Sequence, residues 1–215
     1  MVKGQKFTNE EQNIIKTVYI IEQNAKESGA DAQYEIAKQY YSNNEFYKAF
    51  VWYKKSAKQG NSDAQQMLGY IYSYGIGINK DYKKALKWYQ KGANGGNIFA
   101  QINLANMYLN GIGINKDYTK AFEWYERIAN GGNIDAQNYL GFMYYNGVGV
   151  IKDYKKAFEW IIKSANGGNT DAYNNLGLMY LKGIGTKKDL QKAFEWYEKS
   201  ASRGNIDAQN NLSDM

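Results

Sequence analysis

The sequence predicts an all-α protein, a solenoid of two-helix repeats, and three spacings carry that prediction. A glycine followed by asparagine stands at Gly60, Gly96, Gly132, Gly168 and Gly204, a step of 36 residues each time (96 − 60 for the first). Tryptophan keeps the same step at Trp52, Trp88, Trp124, Trp160 and Trp196. Alanine keeps it at Ala64, Ala100, Ala136, Ala172 and Ala208. Three residue types of different chemistry on one period mark a chain built from one supersecondary unit, repeated.

The unit 133–168 shows what is repeated. Ala136, Tyr139, Leu140, Met143 and Tyr144 fall at i, i+3, i+4, i+7 and i+8, the apolar stripe of an amphipathic helix, here helix A. Asn133 precedes the stripe as its N-cap, and Asp135 sits near the positive helix start. Gly147 ends the helix, because glycine takes the left-handed conformation of a C-terminal cap without strain. After the short loop Gly147–Lys152, Asp153 is the N-cap of helix B, whose stripe is Ala157, Trp160, Ile161 and Ala165, before Asn166-Gly167-Gly168. Such short connections make neighbouring helices antiparallel.

Taken in order, the elements are a capping helix at 8–28, repeats at 29–60, 61–96, 97–132, 133–168 and 169–204, and a capping stub at 205–215. Thr8 and Glu11 form a capping box at the first of these. The run Lys16-Thr17-Val18-Tyr19-Ile20-Ile21, with Ala25, aligns with Lys192-Ala193-Phe194-Glu195-Trp196-Tyr197 and Ala201, so it reads as a degenerate helix B. The first repeat is shorter, because Tyr41-Ser42-Asn43-Asn44-Glu45-Phe46 replaces the glycine loop. Ala208, Leu212 and Ser213 begin a last helix A. One position of helix A is always small, at Gly69, Ala105, Gly141 and Gly177, and so is one of helix B, at Ala85, Ala121, Ala157 and Ala193. An interior helical glycine costs about 1 kcal/mol against alanine, so its recurrence predicts a second helix passing close by. No unit buries its apolar face alone, and stability has to come from stacking.

The segment Leu140-Gly141-Phe142-Met143-Tyr144-Tyr145-Asn146-Gly147-Val148-Gly149, with Asp153 and Lys156-Ala157-Phe158-Glu159-Trp160, resembles the Sel-one-like repeat (SLR) family of tetratricopeptide-like solenoids. The resemblance covers nearly the whole chain. It implies a right-handed α/α superhelix that serves as scaffold, adaptor or assembly platform for other proteins, a kind common in bacteria. It also implies that helix A lines the concave groove. Some bacterial members carry cysteine pairs in each unit, and this chain has none, so activities proposed for them do not carry over.

Composition narrows the chemistry. There is no cysteine and no histidine, which removes thiolate metal sites, cysteine nucleophiles and Ser-His-Asp arrangements. Net charge is +6, but the lysines are interleaved with acids, as in Lys116-Asp117, the pattern of a solvated helical face. Specific nucleic-acid binding is therefore not expected, and weak binding through surplus lysine is the alternative. No apolar run approaches the roughly 18 residues of a membrane span, and the start, Met1–Lys6, lacks a signal peptide's apolar core. The expectation is a cytoplasmic monomer without cofactor or metal.

Local motifs read the same way. Gly111-Ile112-Gly113-Ile114-Asn115-Lys116 follows a helix and lacks a third glycine, so it is no phosphate-binding loop. Asp81, Asp117, Asp153 and Asp189 are N-caps, spread one per unit, and the tryptophans fill the core. Glu123, Glu159 and Glu195 recur opposite the stripe, leaving no catalytic residue to name; a carboxylate-dependent hydrolase would need converging acids.

One surface departs from this pattern. Opposite the helix A stripe run Gln66, Tyr70, Ser73, Tyr74, then Ile102, Asn106, Leu109, Asn110, then Asn138, Phe142, Tyr145, Asn146, and last Asn174, Leu178, Leu181, Lys182. One lysine is the only charge among them, so the surface is either buried between units or a binding site. The candidate partner contacts are Tyr70, Tyr74, Asn106, Leu109, Asn110, Asn138, Phe142, Tyr145, Asn146, Asn174 and Leu178.

Overall fold

The computed structural model describes residues 29–215. The expected capping helix at 8–28, with Thr8 and Glu11, lies outside the described residues. Within them every regular element is a helix, without a strand. The A helices are α1 (Ala30–Ser42), α3 (Ser62–Tyr74), α5 (Ile98–Asn110), α7 (Ile134–Asn146), α9 (Thr170–Lys182) and α11 (Ile206–Ser213). The B helices are α2 (Phe46–Lys58), α4 (Tyr82–Asn94), α6 (Tyr118–Asn130), α8 (Tyr154–Asn166) and α10 (Leu190–Ala201). Antiparallel two-helix repeats are the fold class the spacings predict. The chain divides into two compact units, residues up to Ala100 and from Gln101 onward.

The helix ends follow the polar residues the sequence repeats. Asn61, Asn97, Asn133, Asn169 and Asn205 each accept, through Oδ1, the N–H of the alanine three residues on, at 2.7–2.9 Å. Four of them also donate backwards from Nδ2, Asn61 to Asp31, Asn97 to Asp63, Asn169 to Asp135 and Asn205 to Asp171. One side chain thus caps its own helix and ties it to the preceding A helix. Asp81, Asp117, Asp153 and Asp189 accept the N–H of Lys84, Lys120, Lys156 and Lys192 at 2.9–3.0 Å, the N-caps the sequence predicts.

The two glycines of each loop have separate jobs. Gly147 is the left-handed C-cap of α7, at φ 74°, and donates to Met143 O. Two residues on, a Cβ on Gly149 would lie 2.0 Å from Tyr118 O, at the start of the preceding helix B. The equivalent Gly185 meets Tyr154 O at the same distance. The loop is packed down onto a neighbouring backbone, which is why the pair looks like a nucleotide loop and is not one.

Within each repeat the two helices cross where helix A is smallest. A Cβ on Gly69 would lie 2.4 Å from the Tyr89 ring, and one on Gly177 would lie 2.5 Å from the Tyr197 ring. The tyrosine belongs to a helix B position occupied by Tyr53, Tyr89, Tyr125, Ile161 and Tyr197. These rings are buried. Burial pushes the Tyr89 hydroxyl up to about 12, partly offset by a hydrogen bond with Ser73. The Tyr125 hydroxyl donates to Asn106 Oδ1 at 2.7 Å, whereas the Tyr197 hydroxyl is buried without a partner. Between repeats, Phe122 meets Tyr144 edge to face at 5.3 Å, and Phe158 meets Tyr180 in the same way.

The tryptophans correct the sequence reading. Trp52 is buried, but Trp88, Trp124, Trp160 and Trp196 are only half-buried, at the edge of the stripe. Each lies under a cation one turn on: Lys91 at 4.8 Å, Arg127 at 5.5 Å, Lys163 at 4.0 Å and Lys199 at 4.8 Å from the ring centre. The lysine or arginine side chain lies over the face of the indole that the core does not enclose.

Unit one has a core around Ile36, Tyr40, Trp52, Tyr53, Leu68 and Ile71. In unit two, Ala193, Tyr197 and Ala208 form the last cluster, with Leu178, Leu181 and Leu212 packed against it.

Three outcomes follow from these contacts. Gly177→Leu should lose about 3 kcal/mol in denaturant unfolding, since the added side chain starts inside the Tyr197 ring. Tyr125→Phe should destabilise by about 1 kcal/mol through the stranded Asn106 carbonyl, while Tyr197→Phe, which removes an orphan hydroxyl, should be neutral or stabilising. The third concerns acid. Hydrogen bonds from the Lys84, Lys120 and Lys192 backbone hold Asp81, Asp117 and Asp189 below their ordinary 3.8. A carboxylate lowered in the folded state contributes stability above its unfolded value and loses it as pH falls through the folded one. Melting temperature should therefore fall between about pH 5 and pH 2, and less steeply in Asp81→Asn/Asp117→Asn/Asp189→Asn, because asparagine caps without titrating.

Candidate functional site

The predicted surface resolves into two parts, one in each unit. In unit one, α3 carries Tyr70, half-buried, with its ring 4.6 Å from that of Tyr74, which is 63% exposed. In unit two, α5, α7 and α9 carry the remaining candidates, and here the side chains of successive repeats meet.

The asparagines are committed differently from what the sequence suggests. Asn138 Oδ1 accepts from Asn175 Nδ2 at 3.0 Å, and Asn174 Oδ1 accepts from Asn211 Nδ2 at 3.1 Å. Each bond is a rung from one A helix to the next. Asn106 does the same work by another route, through the Tyr125 hydroxyl, whose ring lies 4.4 Å from that of Tyr139. Asn110 and Asn146 are exposed and turn back on their own helix, donating to Asn106 O and Phe142 O at 3.0 Å. Each accepting carbonyl lies four residues back in the same helix, so these side chains close over their own last turn.

Hydrophobic candidates cluster on α7 and α9. Phe142 is 48% exposed and lies 5.6 Å from the Tyr139 ring, while the half-buried Tyr145 lies 5.3 Å from Tyr154. A cavity of about 220 Å³ opens between α7, α8 and α9, with Phe142, Tyr145, Asn146 and Leu178 among its lining. Leu109 is half-buried on α5 and does not line it. Thus four of the eleven sequence-derived candidates share one concavity, three serve in rungs, and Tyr70 and Tyr74 stand apart in unit one. Neutral aromatic and amide groups make this surface, with no carboxylate in the cavity.

Sequence reasoning missed Asn175, Asn211, Tyr125 and Ile161. The asparagines are one residue out of phase with the face considered, and they reach it because consecutive A helices are staggered. Ile161 was legible as a break in the tyrosine period that the other four full repeats keep, though nothing in one sequence says what such a break leaves behind.

Elsewhere the chemistry stays dispersed. Glu123, Glu159 and Glu195 are exposed, and among the described residues no group of three or more acidic side chains is placed to hold a metal ion. No helix among them is long and apolar enough to cross a membrane.

Comparison with known proteins adds the lineage. The Sel1 repeat pattern matches five consecutive segments, residues 30–61, 62–97, 98–133, 134–169 and 170–205. The structure is similar to c5321, a protective antigen of uropathogenic Escherichia coli strains displaying an SLR fold. Identity is 36% and the TM-score 0.85, over 92% of this chain and 43% of that one. It is also similar to a Sel1 repeat protein from Oxalobacter formigenes, with 33% identity and a TM-score of 0.79, over 84% of this chain and 74% of that one. The chain spans less than half the length of the Escherichia coli antigen. No curated protein matches it. Sel1 repeat proteins generally mediate protein–protein interactions. With repeat matches running unbroken from 30 to 205, and two structures of the same fold above 30% identity, the chain belongs to the Sel1 repeat family.

Proposed function

We propose that this chain is a non-catalytic scaffold or adaptor that binds a protein or peptide segment on its helix A face. The observation that carries this reading is what the rungs leave over. Asn138 spends an acceptor on Asn175 and keeps its amide donors; Asn175 spends a donor and keeps its carbonyl. A donor and an acceptor side by side match the two groups of a peptide unit, whatever its side chains. Phe142 and Tyr145 beside them supply apolar area at low entropic cost, the residue types enriched at binding hot spots. With one lysine among sixteen positions, the favoured ligand is an uncharged or mildly apolar segment, extended or helical.

A second reading rests on the cations over the tryptophans, which recur on helix B and would suit an anionic partner. Glu123, Glu159 and Glu195 are interleaved with them, so the helix A face remains the stronger site. Action in the cytoplasm, as a monomer, belongs to the same proposal.

The test uses peptides selected from a random display library on the wild-type chain. Phe142→Ala with Asn146→Ala, which leaves the rungs intact, should weaken the selected peptides by about 2 kcal/mol in calorimetry. Lys155→Ala, on helix B, should leave them unchanged. The reverse pattern would move the site to helix B and end the assignment.

A further inference from the structure

The fourth repeat breaks the tyrosine period. Where helix B elsewhere carries Tyr53, Tyr89, Tyr125 and Tyr197, α8 carries Ile161. A tyrosine at this position lies across the small residue of helix A, as Tyr89 does over Gly69 and Tyr197 over Gly177. Ile161 meets Gly141 in the same way, with its Cδ1 2.6 Å from where a Cβ would be, but its side chain ends there. Beyond it lies the cavity of about 220 Å³, floored by Gly141, Ile161 and Met179 and walled by Phe142 and Leu178.

We infer that this cavity is a ring-binding pocket that takes a tyrosine side chain presented by a partner peptide. The inference rests on the helix A face being the contact surface, and it adds what that surface selects. Size comes first: a dry apolar cavity of about 150 Å³ holds benzene, so about 220 Å³ accommodates a ring bearing two further heavy atoms, the hydroxyl and the Cβ of a tyrosine side chain. The siblings supply the shape, since the same helix crossing encloses a phenol in the other repeats.

The rim supplies the chemistry. Asn175 donates to Asn138 and Asn146 donates to Phe142 O, so both asparagines keep their side-chain carbonyls as acceptors at the pocket. A phenol hydroxyl donates to such a carbonyl, as Tyr125 already does to Asn106 Oδ1 one repeat earlier. The fourth repeat has lost both members of that internal pair, since Phe142 stands where Asn106 would recur and Ile161 where Tyr125 would. No charged side chain lines the pocket, which excludes a phosphorylated ring and a chain terminus as occupants.

The test uses 4-methylphenol, the tyrosine side chain alone, followed by methyl NMR of Ile161, Leu178 and Met179. Wild-type protein should show saturable shifts, with Kd on the order of 1 mM. Toluene should bind more weakly. Ile161→Tyr restores the residue of the sibling repeats, so it should melt no lower than wild type while binding 4-methylphenol at least about tenfold more weakly. Phe142→Ala, at an exposed wall position, should weaken binding several-fold if Ile161→Tyr fails to fold. Absence of saturable shifts in wild type, or equal binding by Ile161→Tyr, would overturn the pocket; equal binding of toluene would overturn the hydroxyl's role.

A peptide arm separates this proposal from the reading beneath it. Random peptides selected on wild type and depleted on Ile161→Tyr should share a tyrosine. Peptides that bind both chains equally but lose affinity to Phe142→Ala/Asn146→Ala would keep the helix A face and end the pocket. If 4-methylphenol binds but no peptide is selected, the peptide-borne ring is refuted along with the face.

Discussion

The close crossing of helix A by a helix B side chain sets the rest of this structure. With glycine or alanine on one side, the facing ring lies directly on the helix A backbone, as Tyr89 does at Gly69 and Tyr197 at Gly177. That approach fixes the spacing of the two helices and buries the ring. It also carries the phenol's hydroxyl toward the helix A face, where Asn106 receives it from Tyr125. Dense packing of this kind leaves little room for adjustment, so a change of one side chain at the crossing is not absorbed silently. The fourth repeat shows the consequence: a shorter residue at the same crossing leaves a cavity that opens on the candidate site.

A second constraint holds repeats to each other, and it is polar. The Asn61 type of cap satisfies a helix start and, from its other end, binds an aspartate of the preceding repeat. The Asn138–Asn175 rung does the same on the helix A face. An amide side chain carries both a donor and an acceptor, which lets one residue serve two helices. Asparagine's abundance at these positions is a structural requirement before it is a binding feature. What the proposed contact surface can offer is what remains after each side chain has made its rung.

These two layers separate the frame of the solenoid from the chemistry of its surface. Residues at caps, glycine crossings and loop contacts are held by backbone geometry. Phe142, Tyr145 and Leu178 occupy positions that repeat in place but vary in type, so their chemistry is free to change. Family membership therefore fixes the frame, while the fourth repeat's own residues set what its surface offers.

Within residues 29–215 the sequence by itself determined the helices, their order and their caps, because those depend on a period of 36 and on local hydrogen bonding within a few residues. It also marked Gly69 and Gly177 as crossing points, since an otherwise costly residue kept its place. It misjudged the tryptophans, because a periodic stripe does not tell a core position from its edge, where Lys91 or Lys163 covers the indole. Its candidates Asn138 and Asn174 proved to be rungs first, since their partners lie 37 residues away and depend on how consecutive A helices are staggered. Only the tertiary structure decided what the isoleucine at 161 means. A substitution reads as one more apolar residue along the chain; whether neighbours close over the missing ring or leave a cavity depends on three helices meeting in space.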